Sequence, residues 1–134
     1  MSEQLQQKYY EFQVYEEHLK KLKEQFEQID EQLLEIEYIK NSIDELGDIG
    51  NEKDMLCPVT NGIFVKAKVR QPEHFLVNVG DNVVCKKSPE QTKKLLEKQK
   101  EELEGSREKV GEKLESLQQR MQELEKELHK LIKD

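Results

Sequence analysis

Histidine and cysteine are the residues of this sequence that could ligate a metal ion or act as nucleophiles, and they are few and scattered. The histidines are His18, His74 and His129, and the cysteines are Cys57 and Cys85. The cysteines form no CxxC pair and have no histidine cluster nearby, so neither a zinc site nor a disulfide framework is predicted. We expect solvated surface histidines, no metal, and two buried structural thiols.

Carboxylates are abundant, whereas phosphate-binding motifs are absent. Asp and Glu number 29 among the 134 residues, which could supply general acids and bases. On helices with a regular apolar stripe, however, such residues form the solvated face. The sequence contains neither GxxxxGK[ST] nor GxGxxG, the glycine-rich loops that cradle phosphates. We therefore expect neither an enzyme nor a cofactor.

The charge of the chain is negative and unevenly distributed. The net charge is −7, and residues 1–46 carry five Lys against twelve Asp or Glu. A chain without a basic block binds phosphate poorly, which argues against nucleic acid. The same acidity argues against an anionic membrane surface. No apolar run approaches the roughly 20 residues of a membrane span, and no signal-peptide core is present, so a reducing, cytoplasmic location is expected.

The composition favours a long coiled coil over a compact globule. Charged residues make up 38% of the chain and hydrophobic residues only 34%, which leaves a coiled coil or disorder. From Phe12 to Ile36 the apolar residues fall at alternating steps of three and four, the a/d pattern of a coiled coil. The stripe is extended backwards to Tyr9 and Leu5. The helix is predicted to end at Gly47, a favourable C′ residue.

A second helix of matching length is predicted at the other end of the chain. Ser88 is a natural N-cap, Pro89 suits the first helical position, and Gln91 completes a capping box. The apolar series then runs from Leu96 to Leu131. Each helix has about 45 residues and is roughly 65–70 Å long. Matched lengths favour a fold-back within one chain, in which the helices pair antiparallel.

The second helix has an interrupted seam in its first half. Gln99 and Ser106 occupy two seam positions, and Gly105 and Gly111 flank a stutter that begins at Val110. Each glycine costs about 1 kcal/mol of helix propensity relative to Ala. The half of this helix next to the central segment is therefore expected to be the less tightly paired half.

The central segment has the alternation of β-strands. Four strands are predicted at about 55–60, 63–70, 74–79 and 83–87, after a loop that ends near Asp54. Asn61-Gly62 is a strong hairpin signal, and Gly80-Asp81-Asn82 is a second tight turn. The strands are thus expected to form two hairpins.

The residues around these hairpins resemble the prefoldin family, specifically its α-type subunits. The stretch LCPVTNGIFVKA, residues 56–67, is similar to the family's Leu-x-Pro-Val turn, Gly, and Phe-Val-Lys-Ala strand. A second match is FLVNVG, residues 75–80, followed by two valines. Two hairpins imply the α-type, because β-type subunits carry one. The resemblance covers residues 55–98.

The resemblance implies an α+β, mainly α fold in a single domain, residues 1–134. A long antiparallel coiled-coil hairpin, from helices 1–47 and 88–134, carries two central β-hairpins, 48–87, that assemble into an oligomeric β-barrel platform. It also implies a hexamer of two α-type and four β-type subunits. Such a particle holds non-native client proteins at the coiled-coil tips without ATP and delivers them to a group II chaperonin.

Two sets of residues are expected to carry this function. Open strand edges are sticky and four short strands cannot bury a core alone, so assembly is assigned to the hairpins. Adjacent apolar residues on a helix cannot both lie in one seam, so one residue of each adjacent pair at the tips should project from it, and the resemblance implies that the tips contact the client. The assembly residues are Val59, Ile63, Phe64, Val65, Phe75, Val77, Val79 and Val83. The tip residues are Leu5, Tyr9, Tyr10, Phe12, Leu128, Leu131 and Ile132.

Other interpretations stay open at this point. Tyr9 and Leu131 could be ordinary seam residues, with Tyr10 and Ile132 as scattered surface apolar residues. The chain could also be a structural coiled-coil adaptor whose tips tether one partner, or a filament-forming, prefoldin-like protein. Nucleic-acid binding is weaker on charge grounds, and catalysis weaker still.

Overall fold

The computed structural model describes residues 2–133. Its elements follow the predicted order of helix, four strands and helix. They are α1 (Glu3–Gly47), β1 (Lys53–Thr60), β2 (Ile63–Val69), β3 (Phe75–Gly80), β4 (Val83–Lys87) and α2 (Pro89–Lys133). The chain divides into two compact units, one of residues 2–33 with 101–133 and one of residues 34–100. That the whole chain is one domain stays a prediction.

The start of α2 has the predicted capping box. The Gln91 amide donates to the Ser88 hydroxyl oxygen at 3.1 Å, and the Ser88 amide donates to the Gln91 side-chain carbonyl at 3.0 Å. The buried Thr92 adds a hydroxyl hydrogen bond to the Ser88 carbonyl at 2.8 Å. The Ser88 and Gln91 side chains therefore satisfy two amide groups that a helix start leaves unpaired.

In the unit of residues 34–100, α1 and α2 run antiparallel. Ion pairs show the register, because partners on α2 fall from 100 to 93 as positions on α1 rise from 37 to 44. These pairs are Glu37–Lys100 at 3.3 Å, Lys40–Glu97 at 2.7 Å, and Asp44–Lys93. Ile36, Ile43 and Leu96 are buried between them, at the seam positions that the sequence predicts.

The hairpins of this unit form two separate two-stranded antiparallel sheets, β1-β2 and β3-β4. β1 begins at Lys53 because this residue pairs with Val69, so the preceding loop is two residues shorter than expected. The first turn has a bulge and places Gly62 at φ +79°. In the second turn both Asp81 and Asn82 have positive φ, +48° and +59°, as a type I′ hairpin requires.

In the other unit the same two helices again pair antiparallel. Partners on α2 fall from 127 to 107 as positions on α1 rise from 8 to 30. The pairs are Lys8–Glu127, Glu11–Arg120 at 3.4 Å and Asp30–Arg107 at 2.6 Å. Leu22, Leu117 and Leu124 form the buried seam, and Leu124 is fully buried.

The loosest packing on α2 lies in its middle, residues 97–116, rather than throughout its first half. Thr92 and Leu96 are buried, whereas no described side chain from 97 to 116 is, so the expectation of a loose first half is wrong for the first turns. In this stretch the Arg107 guanidinium stacks on the Phe26 ring, 4.5 Å from its centroid. An arginine that is also paired with Asp30 thus covers the ring where the seam lacks apolar side chains.

Candidate functional site

The two hairpins expose an extensive apolar surface, which we call the hairpin surface. Ten large hydrophobic side chains in the four strands are between 43% and 75% exposed. They are Met55, Leu56, Val59, Ile63, Phe64, Val65, Leu76, Val79, Val83 and Val84. Exposed large apolar side chains in this number indicate an interaction site, and each two-stranded sheet also has open edges.

The first hairpin has two chemically different faces. Cys57 pairs with Val65 and Met55 with Ala67, which gives one apolar face. On the opposite face Leu56 pairs with Lys66, so that face mixes apolar and basic side chains. The first face suits burial against another sheet, and the second suits the outside of an assembly.

The second hairpin is partly covered by its own chain. Phe75 and Val77 are half-buried and line a groove of about 490 Å³ with the helix residues Ile43 and Leu96. Of the eight residues assigned to assembly, these two are the least accessible, while the other six are exposed. The assignment of all eight to assembly stays a prediction.

The cysteines lie in different hairpins and are free thiols. Cys57 on β1 and Cys85 on β4 are each half-buried, not fully buried as the sequence predicts. Cys57 pairs with the exposed Val65, so its side of the first hairpin is open. Cys85 pairs with Val77, so it lies on the side of the second hairpin that the helices partly cover.

The first turns of α1 and the last turns of α2 together form an apolar groove of about 360 Å³, which we call the tip groove. Five of the seven residues assigned to the tips meet there, and two glutamines complete the lining. The lining residues are Leu5, Gln6, Tyr9, Tyr10, Gln13, Leu128 and Ile132. Phe12 and Leu131 are half-buried and do not line it.

The two tyrosines of the tip groove, Tyr9 and Tyr10, lie outside the helical seam. Tyr9 is 57% exposed and Tyr10 is 69% exposed, whereas Lys8 between Leu5 and Phe12 is half-buried. The alternation of three and four, followed backwards from Phe12, reaches Lys8 and then Leu5. The structure follows this period, and the choice of Tyr9 as a seam residue is wrong. At the other helix end Ile132 projects outwards at 70% exposure, while Leu131 is half-buried.

An ion-pair network holds the tip together beside the groove. Lys8 donates to Glu127, and this hydrogen bond lowers the pKa of the Glu127 carboxyl below its ordinary value. Arg120 reaches Glu11 at 3.4 Å, Glu123 at 3.3 Å and Glu127 at 4.0 Å. Within this network Lys8 occupies a seam position, and Tyr9 and Tyr10 lie outside the seam.

Sequence reasoning missed two further sets of residues. Gln6 and Gln13 line the tip groove, and their spacing of four from Tyr10 and Tyr9 could have indicated this. Leu34 and Tyr38 are 71% and 74% exposed on α1. Their spacing of four, out of register with the seam, is the signal that would have found them.

Within residues 2–133, no group of three or more His, Cys, Asp or Glu side chains is arranged to hold a metal ion. No helix of the described chain has the length and apolar character needed to cross a membrane.

Comparison with known proteins identifies relatives. The Prefoldin subunit family matches residues 15–134. Prefoldin subunit alpha of Methanococcus aeolicus is 34% identical over 87 residues, which are 65% of this chain and 58% of that protein. Prefoldin subunit alpha of Methanococcus maripaludis strain S2 is 32% identical over 66% of this chain and 59% of its own length. The matches thus span less than two thirds of these relatives.

The fold is also similar to that of a solved structure. A chain in the cryo-EM structure of filamentous PFD from Methanocaldococcus jannaschii superposes with a TM-score of 0.75 and 21% identity. The match covers 86% of this chain and 95% of that one. The predicted fold of two long helices and two small hairpins is confirmed, and so is the predicted resemblance to α-type prefoldin subunits.

Proposed function

The chain belongs to the prefoldin subunit family, and from this membership we propose that it is a subunit of an ATP-independent chaperone that holds non-native proteins. In this proposal the hairpin surface assembles the particle and the tip groove contacts the client. The observation that carries it is the placement of exposed large apolar side chains on these surfaces, away from the helical seam.

Assembly through the hairpin surface follows from the weakness of each hairpin alone. An isolated two-stranded hairpin is marginally stable in water. Full burial of a Val, Leu, Ile or Phe side chain contributes about 1.5–3 kcal/mol, so covering even a few of the ten exposed side chains offsets the cost of ordering the strands. We propose that β-type prefoldin subunits supply the cover, in an α2β4 hexamer with a β-barrel platform.

Client contact at the tips suits weak and exchangeable binding. Tyr9 and Tyr10 are exposed near the start of α1 and Ile132 near the end of α2, and at helix ends local opening costs the least free energy. Such contacts release a client without nucleotide hydrolysis. We propose that the client then passes to a group II chaperonin in the cytoplasm.

A triple substitution tests the client-binding part of the proposal. The change Tyr9→Ser, Tyr10→Ser and Ile132→Ser removes the exposed apolar groups of the tip and keeps the ion-pair network. Light scattering of an aggregating client, with the chain assembled with a β-type subunit, should show that suppression of aggregation is lost. The matched control is Leu34→Ser with Tyr38→Ser, which removes equally exposed apolar side chains outside the tip groove. If the tip variant still suppresses aggregation as well as the control variant does, the tips do not bind the client.

A filament-forming protein is the second candidate. It is favoured by one finding, the similarity of fold to a chain of filamentous PFD. Electron microscopy of the chain alone separates the two candidates, because a hexamer subunit without its β-type partner forms no extended polymer, whereas a filament-forming chain does.

A further inference from the structure

We propose that the tip groove takes a helical segment of the client, with apolar residues every three or four positions and Lys or Arg at its flanks, in preference to an extended segment. This inference rests on the proposed function, because it names the kind of client segment that the same groove binds. Three features of the groove carry it: its hydrogen-bonding groups, the spacing of its lining residues and its charge.

The groove offers almost no hydrogen bonds to an extended backbone. Its walls are two helices, whose backbone groups are paired within each helix except at the helix ends. At the start of α1 the Leu5 amide donates to the Ser2 hydroxyl and the Gln6 amide to the Ser2 carbonyl, both at 3.2 Å. The groups left to bond a ligand are the side chains of Gln6, Gln13 and the two tyrosines and the carbonyls of the last turn of α2.

An extended segment in this groove would leave backbone groups unpaired. Each non-proline residue carries one N–H donor and one C=O acceptor, and each buried group without a partner costs roughly 1–3 kcal/mol. A helical segment satisfies these groups internally and presents only its side chains. The groove therefore favours a client segment that is already helical or that becomes helical when it binds.

The spacing of the lining residues also matches a helix. Leu5, Tyr9 and Gln13 form a row with spacing four on α1, and Leu128 and Ile132 form a row with the same spacing on α2. Rows with spacing four are the ridges by which helices pack into one another's grooves. A third helix with apolar side chains at i, i+4 and i+7 can lay its ridge between these two rows.

The charge around the groove selects a basic partner. Residues 2–17 carry four Glu and one Lys, a net charge of −3, while residues 121–133 carry three Glu and three Lys, a net charge of zero. On α1, Glu16 and Glu17 follow Gln13 by three and four positions and therefore lie on the same side of the helix as Gln13. On α2, Glu125 precedes Leu128 by three positions and lies on the same side as Leu128. All three are exposed, and none forms an ion pair within residues 2–133. The same charge disfavours pairing of two tips from two copies of this chain.

Three designed peptides test the inference on the full chain. The chain contains no Trp, so one Trp in each peptide reports binding by its fluorescence without background from the protein. The first peptide has helical spacing of its apolar residues and Lys at its flanks. The second has the same composition with apolar residues at alternate positions, and the third is the first with Glu in place of Lys. We expect the first to bind at least about tenfold tighter than the second, and several-fold tighter than the third at low salt.

Variants of the chain locate the binding and separate its causes. Tyr10→Ser should weaken binding of the first peptide by about tenfold, as expected for an aromatic anchor, whereas the control Tyr38→Ser should not change it. Glu16→Gln, Glu17→Gln and Glu125→Gln together should reduce the preference for the Lys-flanked peptide over the Glu-flanked one. The preference should also shrink at 1 M salt, where charge interactions are screened.

Specific outcomes would overturn the inference. Equal binding of the helical and alternating peptides means that the groove takes extended chain. Unchanged binding to the Tyr10→Ser chain means that the peptides bind elsewhere, and sedimentation that detects pairing through the tips means that a second copy fills the groove. If Tyr10→Ser abolishes client protection while the two Lys-flanked peptides bind alike, the proposed function stands and the helical preference falls. If that variant protects the client fully, the proposed function itself fails.

Discussion

Replacing the two glycines in the middle of α2 by alanine should stabilise the chain. Gly105 and Gly111 are interior helix residues, where Gly costs about 1 kcal/mol relative to Ala. A Cβ at Gly105 would meet nothing within 4 Å, and a Cβ at Gly111 would lie 3.7 Å from Cε2 of Phe26, an ordinary van der Waals contact. Neither substitution therefore has a steric cost, and the second adds contact with the ring.

The expected magnitude is about 1 kcal/mol for each variant and about 2 kcal/mol for the pair. The sites are six residues apart, or about 9 Å along the helix, which is far enough for the effects to add. For a chain of 134 residues, each 1 kcal/mol should raise the melting temperature by about 3–6 °C. Circular dichroism at 222 nm measures this, at one fixed protein concentration because assembly also changes the melting temperature.

Gly62→Ala is the matched contrast for this prediction. A Cβ at Gly62 would also meet nothing within 4 Å, but the residue has φ +79°, where L side chains are strained. We therefore expect the opposite sign, a lower melting temperature, although the available space is the same. A lower melting temperature for Gly111→Ala would refute the reasoning, since it would mean that the Phe26 ring and Arg107 leave no room for a methyl group.

The remaining predictions concern the hairpins and the ion pairs. Gly62→Val should destabilise the first hairpin by more than about 1 kcal/mol, because a β-branched residue is strained at positive φ; an unchanged melting temperature and assembly state would contradict it. A chain of residues 30–105 should still oligomerise in sedimentation, and a monomer would show that the coils assemble the particle. The pKa values of Glu97 and Glu127 are lowered chiefly by hydrogen bonds from Lys40 and Lys8, respectively. These two carboxylates therefore stabilise the folded chain fully above the ordinary carboxyl pKa, and this stabilisation is lost as the pH falls through the lowered pKa values. The melting temperature of the double variant Glu97→Gln, Glu127→Gln should therefore fall less between pH 7 and pH 3 than that of the unmodified chain. An equal fall in both would show that these ion pairs do not cause the loss of stability at low pH.

The helix boundaries were predictable because local chemistry determines them. Ser88 and Gln91 form the capping box that starts α2, and α1 ends at Gly47, although Gly47 is its last helical residue and lacks the positive φ of a C′ glycine. The turn at Gly62 was predictable for the same reason, because its positive φ favours glycine. Each of these features depends on residues within about four positions of one another, so a single sequence contains all the information needed.

Burial of the hairpin residues was less predictable because it depends on other elements. Alternation along β3 indicates that Phe75 and Val77 share a face, but not what covers that face. In the structure they line a groove with Ile43 and Leu96, far from them in sequence. Cys57 and Cys85 are predicted to be buried and are half-buried, because their burial depends on what lies over each sheet, which alternation along a strand does not indicate.

The placement of Tyr9 shows how a functional surface can arise from a conflict between residue type and helical period. Residue type favours Tyr9 in the seam, whereas the period of three and four places Lys8 there, and the structure follows the period. Lys8 is tolerated at a seam position because the site is at the helix end and its amine pairs with Glu127, so neither charge is buried without a partner. If Tyr9 lay in the seam, the tip would bury one aromatic ring and expose a charged side chain. With Lys8 in its place, Tyr9 and Tyr10 both face the groove, and the chain keeps its helices paired through charges while its aromatic side chains stay available to a ligand.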